Sequence, residues 1–576
     1  MGAGLRPRGR YRDGCMVNTS TAFHLASLNI SRTIENRRLH TSFPILIFFY
    51  KCLISLNMGA NQSRPSEEDI EEQLMKRLKA LDAKDSHTLY EPYSNSLSEK
   101  DGYVYVGQDA PPSSLSFRRP YQQNLSAVQA WEEELMADPK NRLALAALSS
   151  NPANAVLSSR AATISDTQTF NIKIPTEGLP VTNQRSSGRC WLFASTNVFR
   201  IPVMAKYRLS EFQLSQSYLF YWDKIEKANY FLENILDTAS EPLDGRIVQE
   251  LLTSPVSDGG QWDMVANLVE KYGLVPQTLY PDSFNAMNSS TMDRLITTKL
   301  REDAIRLRAL TTSSSSPETL KSTIAATKEK MLREIHLILT LMLGPPPSPD
   351  KPFVWEFHDR DGNFKSVKTR PTAFAKELSD NRTMRALGGT DVHRLFSLVN
   401  DPRNPYNRLL SVKRLGNVYE GRPVTYVNVD MTTMKKACID MLKRGFPVFF
   451  GSDVGKYSDS AKGIMDTDLF EYELGFNVKL GMKKAERLQT KESQMTHAMV
   501  LTAVHVVDDK PVRWRVENSW SDSVGDKGYF VMSDAWMDQF VYQAVVDPVV
   551  VSTAVRKVLE QKPKMLELWD PMGALA

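Results

Sequence analysis

Cys190 follows a Ser-Ser-Gly-Arg loop and opens an apolar stretch whose Leu192, Phe193, Val198 and Phe199 predict a buried helix. A thiol at a first helical turn faces the positive end of the helix dipole, which favours the thiolate and so nucleophilic attack. Six residues earlier, the Gln184 amide can donate toward the same point. With the Cys190 N–H it would form an oxyanion hole for a tetrahedral intermediate. His497 opens the strand-like run HAMVLTAVHVV, where its ring would accept the thiol proton and return it to a leaving amine. His505 is the rival base, eight residues on and therefore on the same strand face if the strand runs straight. Asn518 lies in VENSWSDSVGDKGYF; its side-chain oxygen would hold the imidazole tautomer, with Trp520 covering that bond from water. Taken singly, these are a packing cysteine, a solvated glutamine, a core histidine and a turn asparagine. Together they describe thiol-based acyl transfer. Metal catalysis is disfavoured, since the eight histidines show neither HExxH nor HxH spacing, and no metal site is expected.

The elements that must position these residues read as an α+β chain. FNIKIPTEGLPVTNQ is a strand running into a Pro/Gly loop that delivers the cysteine helix. SQSYLFYWDKIEKANYFLENIL is a second helix with Tyr218, Trp222 and Ile225 on one face. Residues 291–343 are mostly helical, split by TTSSSSPE and closed by GPPPSP. VYEGRPVTYVNVD, PVFFGSDVG, THAMVLTAVHVV, VRWRVENSW and GYFVMS are strand-like. The resulting division is a leader at 1–57, a polar and weakly structured segment at 58–125 with a short amphipathic helix near 70–81, and a helical lobe with the cysteine at 126–290. A helical insertion at 291–400, a sheet lobe with His and Asn at 401–555 and a C-terminal tail at 556–576 complete it.

The bulk numbers agree with an enzyme of two or three lobes: 576 residues, 71 Lys+Arg against 67 Asp+Glu, and 42% hydrophobic residues. Four scattered cysteines with no CxxC exclude a disulfide scaffold and a cysteine-rich zinc site, and favour a reducing, cytoplasmic home. No apolar run reaches the roughly 18 residues that a spanning helix needs. Residues 1–57 hold eight basic and two acidic side chains, so the basic excess sits in the leader. That stretch resembles a mitochondrial transit peptide, which would give a mitochondrial form; equally, Met58 reads as the true start. From Met58, MGANQS fits an N-myristoylation pattern and hence a lipid anchor.

The chain order Gln184, Cys190-Trp191, His497, Asn518-Ser519-Trp520 resembles that of the papain-like cysteine peptidases. Here S-G-R-C-W replaces the C-G-S-C-W of secreted members, so Ser187 stands where they have a cysteine. NIKIPTEGLPVTNQRSSGRCWLFAS, LSQSYLFYWDKIEKANYF, DGGQWDM and the final LWDPMGALA resemble the bleomycin hydrolase branch, from about residue 125 to the end. The resemblance implies a two-lobed fold with the cleft between a helical lobe and a sheet lobe. It implies Cys190 as nucleophile, His497 (in its T-H-A-M context, ahead of His505) as proton shuttle, Asn518 as its orienter and Gln184 at the oxyanion. It also implies that the backbone of Asp258-Gly259-Gly260 lines the non-primed side of the cleft, as substrate-binding residues. The tail would lie in the cleft, with the Ala576 carboxylate meeting a substrate's free ammonium. The implied activity is aminopeptidase action on peptides and amides with an unblocked N-terminus, including the bleomycin carboxamide and homocysteine thiolactone. It needs a reduced thiol and no cofactor. A homohexamer contacted through the insertion is implied as well. The competing expectation is a nucleic-acid-binding or scaffold role, from basic runs at Lys299 and Arg301 and at Lys435-Lys436 and from nucleic-acid binding by some family members. Against it stand a slightly acidic chain beyond residue 57 and the absence of any RRM, zinc-finger or helix-turn-helix signature.

Overall fold

The computed structural model describes residues 125–575 except 313–315, 380–390 and 392. The leader, the 70–81 helix, the MGANQS pattern and Ala576 lie outside these residues.

Helix α1 (Cys190–Tyr207) is covered on every side; its residues from Cys190 to Met204 are buried, polar Ser195, Thr196, Asn197 and Arg200 among them. Helix α2 (Gln216–Asp237) starts where the Ser215 hydroxyl accepts the Tyr218 N–H, and α3 (Trp262–Tyr272) starts after Gln261. Tyr218 is buried and Trp222 stacks on Tyr272 at 4.2 Å, as the apolar face of α2 predicts. The opposite side of α2 is covered too, so Asp223, Lys224, Glu226 and Lys227 are buried rather than solvated. Helices α4 (Ser290–Thr311) and α5 (Pro317–Leu343) flank the Ser-rich stretch and pack together and on α2.

The insertion is not all helix. Beyond α5, β1 (Phe353–His358) and β2 (Phe364–Thr369) form an antiparallel hairpin. Its Trp355 stacks on Phe357 and meets Tyr207 edge-on. The Val/Trp/Phe alternation around an Asp-Gly turn carries that signal in the sequence. The large sheet also begins ahead of residue 401, at β3 (Phe396–Val399).

That sheet continues with β4 (Arg408–Val412), β5 (Tyr426–Asn428), β6 (Val448–Ser452), β7 (His497–Val507), β8 (Lys510–Glu517), β9 (Tyr529–Ser533), β10 (Val541–Val546) and β11 (Lys564–Leu566). Its spatial order is β11-β4-β5-β3-β10-β6-β7-β8-β9, ending in two short strands near residues 458–465. Side chains alternate between two cores, as a two-residue period requires. Phe449, Ala498 and Val500 face the core shared with α1 to α3; Val448, Phe450, Met499 and Leu501 face the far side. A register shift in β7 between Leu501 and Ala503 breaks the straight alternation on which a shared face for His497 and His505 depended.

A buried ion pair joins the two lobes. Arg200 of α1 (1% exposed) donates to Glu517 at the end of β8 (2% exposed) at 2.5 Å, and also to the Pro180 and Gly178 carbonyls. Lys299 is engaged by Asp303 and Glu334, and Lys435 by Asp534 and Asp538, so two of the basic residues singled out for phosphate binding have partners within the chain. No helix among the described residues is long and apolar enough to cross a membrane.

Candidate active site

Cys190 is the first residue of α1 and is 2% exposed. The Ala498 N–H, next in chain to His497, points at its sulfur. Burial pushes the Cys190 thiol up to about 11, against the backbone donors that pull it down. Desolvation and the helix-terminal donors thus act on the thiol in opposite directions.

His497 opens β7, paired with Ser452 of β6. Its Nε2 lies 2.9 Å from Asn518 Oδ1, which also accepts the Ser519 N–H at 2.8 Å. An amide atom that accepts a backbone N–H is an oxygen, so Nε2 must carry the imidazole proton and Nδ1 must carry the lone pair. The Trp520 ring covers the imidazole at 4.8 Å between centroids. Burial lowers His497 to about 4, with the Asn518 bond opposing it. Burial therefore works in favour of the neutral form of both the thiol and the imidazole.

Gln184 is tied to the Asn518 loop. Its N–H donates to the Ser519 carbonyl at 2.9 Å, and its Oε1 accepts the Ser519 hydroxyl at 2.7 Å. One Nε2 hydrogen goes to the Ser187 carbonyl at 2.7 Å, which leaves a second for an oxyanion. Ser519 thus links the oxyanion donor to the imidazole's orienter. Sequence reasoning gave Ser519 no role, although its place beside Asn518 was the available signal.

Asp258 opens the Asp-Gly-Gly stretch whose backbone is expected on the cleft wall. Its carboxylate is turned inward: Oδ2 accepts the Gly188 N–H at 2.8 Å and the Ser289 hydroxyl at 2.5 Å, and Oδ1 pairs with buried Lys224 at 2.6 Å. Burial opposes its ionisation, but Lys224 holds the carboxyl well below the usual range. Its carbonyl accepts Trp191 Nε1 at 2.7 Å, so Asp258 grips the chain on both sides of Cys190. Gly259 gives its carbonyl to Lys227 at 2.6 Å. Gly260 is glycine for a packing reason as well: a Cβ there would lie 2.5 Å from the fully buried Trp191 indole. Gly260→Ala is expected to destabilise the fold by about 1–3 kcal/mol. A thermal midpoint equal to wild type would show that Trp191 can move aside. Lys224 and Lys227 were missed because a charge in a helix is ordinarily solvated; their place within an aromatic-rich helix was the only hint.

The tail runs along β4 as the parallel strand β11 and is then pinned residue by residue. Arg246 lies over the Trp569 ring at 3.7 Å, and Arg403 pairs with Asp570 at 2.7 Å. The Tyr426 hydroxyl donates to the Met572 carbonyl at 3.3 Å, and Gln261 Nε2 to the Ala574 carbonyl at 2.6 Å. Leu575 packs against the helical-lobe core and helps line a cavity of about 330 Å³ with Lys227 and Phe231. The expected anion, Ala576, falls just beyond the described residues. Among those described, no cluster of three or more His, Cys, Asp or Glu is placed to hold a metal ion.

A family model described as the Peptidase C1-like family matches residues 123–573. Aminopeptidase C of Lactobacillus delbrueckii subsp. lactis is 43% identical over 71% of this chain and 88% of its own length. Bleomycin hydrolase of Homo sapiens is 42% identical over 79% and 98%. A Saccharomyces cerevisiae relative named cysteine proteinase 1, mitochondrial, is 40% identical over 79% and 93%. The crystal structure of PepW from Lactobacillus rhamnosis is 42% identical and aligns with a TM-score of 0.74 over 79% of this chain and 100% of that one.

Proposed function

The chain belongs to the Peptidase C1-like family, and from that premise we propose how this papain-like cysteine aminopeptidase cleaves and what it selects. The observation that carries the reading is the continuous hydrogen-bonded set His497–Asn518–Ser519–Gln184 built beside Cys190. As the Cys190 sulfur bonds to the scissile carbonyl carbon, its proton passes to His497 Nδ1 and the carbonyl π pair moves to oxygen. That oxygen lies between the Cys190 N–H and the second Gln184 Nε2 hydrogen. Collapse breaks the C–N bond and the imidazolium returns its proton to the leaving amine. Water then adds to the thioester, its proton going to His497, and the thiol is released with the acid. His505, half-buried beyond the first register shift and opposite Arg513, takes no part.

Selection comes from the tail. The Ala576 carboxylate pairs with the substrate's ammonium and leaves no room for a longer chain on that side. Supporting this is the grip of Gln261, next to Gly260, on a carbonyl two residues from Ala576. The bleomycin carboxamide and homocysteine thiolactone are proposed substrates of the same site. Exposed Ile305, Leu337 and Leu341 on α4 and α5 suit a homohexamer joined through the insertion. The enzyme is proposed to be cytoplasmic, with the leader directing a mitochondrial form.

An aminoacyl fluorogenic amide and its N-acetylated twin test selection and nucleophile together. Cleavage of the free amine and refusal of the twin are expected. Equal cleavage of both would remove the tail anchor from the account.

A further inference from the structure

We propose that Gln261 is the residue that positions the tail end, and through it sets the preference for a free N-terminus. The inference rests on the tail reading above. Gln261 is fully buried, at 0% exposure. Its backbone has little freedom: on one side Gly260 lies against the Trp191 indole, and on the other the Gln261 carbonyl accepts the Met264 N–H at 3.0 Å as α3 begins. A side chain on so fixed a base presents its amide from a fixed place. That amide donates to the Ala574 carbonyl at 2.6 Å.

The other tail anchors act further back. Arg246 holds Trp569, Arg403 holds Asp570, and Asp570 caps the turn Pro571–Gly573 through the Met572 N–H. Past that turn, Ala574 makes only one other backbone bond among the described residues, to Pro571 within the tail itself. The Gln261 bond is therefore the tie between the tail's last described residues and the 258–260 loop beside the nucleophile. Its second amide atom is informative as well. Gln261 Oε1 is buried with no hydrogen-bond partner, an acceptor left open beside the tail end. Met at this position would keep the length and lose both polar atoms. Glu would lose the donor and set a negative charge against a carbonyl and a terminal carboxylate.

The test uses Gln261→Met, Gln261→Glu and a chain ending at Gly573, each assayed on the free and the acetylated amide. Iodoacetamide titration of Cys190 serves as the measure of an intact nucleophile. For Gln261→Met, KM for the free amine is expected to rise by about 3- to 10-fold, the size of one lost hydrogen bond, with kcat within about twofold of wild type. Gln261→Glu is expected to raise it further and to narrow the gap between the two substrates. Wild-type KM and discrimination in both variants, alongside lost discrimination in the shortened chain, would overturn the role of Gln261 and leave the tail reading standing. Unchanged discrimination in the shortened chain would overturn the tail reading and this inference with it. A fall in kcat and in titratable thiol with KM unchanged would mark Gln261 as a support of the fold only, and would also overturn the inference.

Discussion

Cys190→Ala is expected to abolish hydrolysis, with kcat down by about 10⁴-fold or more while the fold persists. No other described group can replace it: Cys438, the other described cysteine, is buried in the far core of the sheet lobe. The pH behaviour gives the same prediction a second readout. Burial favours the neutral imidazole and the neutral thiol, so the wild-type kcat/KM profile is expected to fall on the acid side near His497's value of about 4. It should hold toward the alkaline side until the thiol's value of about 11. Stability follows the same groups. His497 lies below its ordinary value, so the unfolded chain binds more protons, and stability falls as pH drops below about 6.5. Cys190 lies above its ordinary value, so its contribution is lost as pH rises from about 9 through 11. Cys190→Ala should therefore lose less stability across that alkaline window than wild type. Unfolding midpoints at pH 7 and pH 10 measure the difference, and an equal alkaline loss in both proteins would contradict the burial argument.

Ending the chain at Gly573 is expected to change what the enzyme selects rather than whether it cleaves. The Asp570-capped turn and every earlier anchor remain, so the rest of the tail keeps its place. What goes is the segment held by Gln261 and the carboxylate beyond it. A charge-assisted hydrogen bond contributes about 1.5–3 kcal/mol, so the ratio of kcat/KM for the free amine over its acetylated twin should fall by about 10- to 150-fold. Internal peptide bonds should become substrates, because the non-primed side of the cleft is then open. Retention of the wild-type ratio would mean that the amine is recognised elsewhere.

The grouping of Gln184, Cys190, His497 and Asn518 was legible because it follows from residue type and chain order. Each also sits at a position that local pattern exposes: a loop, a helix start, a strand start and a turn. Asp258 shows where that reading stops. Its side chain turns inward because Lys224 is buried beneath it, and the burial of Lys224 depends on how α4 covers α2. The same limit applies to the protonation state. A helix terminus predicts a thiolate, but the desolvation that opposes it comes from two lobes closing on Cys190. The β7 register shifts and the β1–β2 hairpin are local features in principle. The first is set by the neighbouring strand, and the second lay inside a segment read as helical throughout.

The Arg200–Glu517 pair has a consequence for the order in which the protein matures. It joins residues 317 apart in the chain, and Glu517 immediately precedes Asn518. The His497–Asn518 contact spans only 21 residues and can form early within its own hairpin. The cysteine helix can likewise pack against α2 and α3 without the sheet. Bringing the two together is the long closure. Until it happens, Arg200 has only nearby carbonyls such as Gly178 and Pro180, and Glu517 lacks its guanidinium. A chain still emerging from the ribosome therefore holds a thiol and, later, an imidazole, but not the pair.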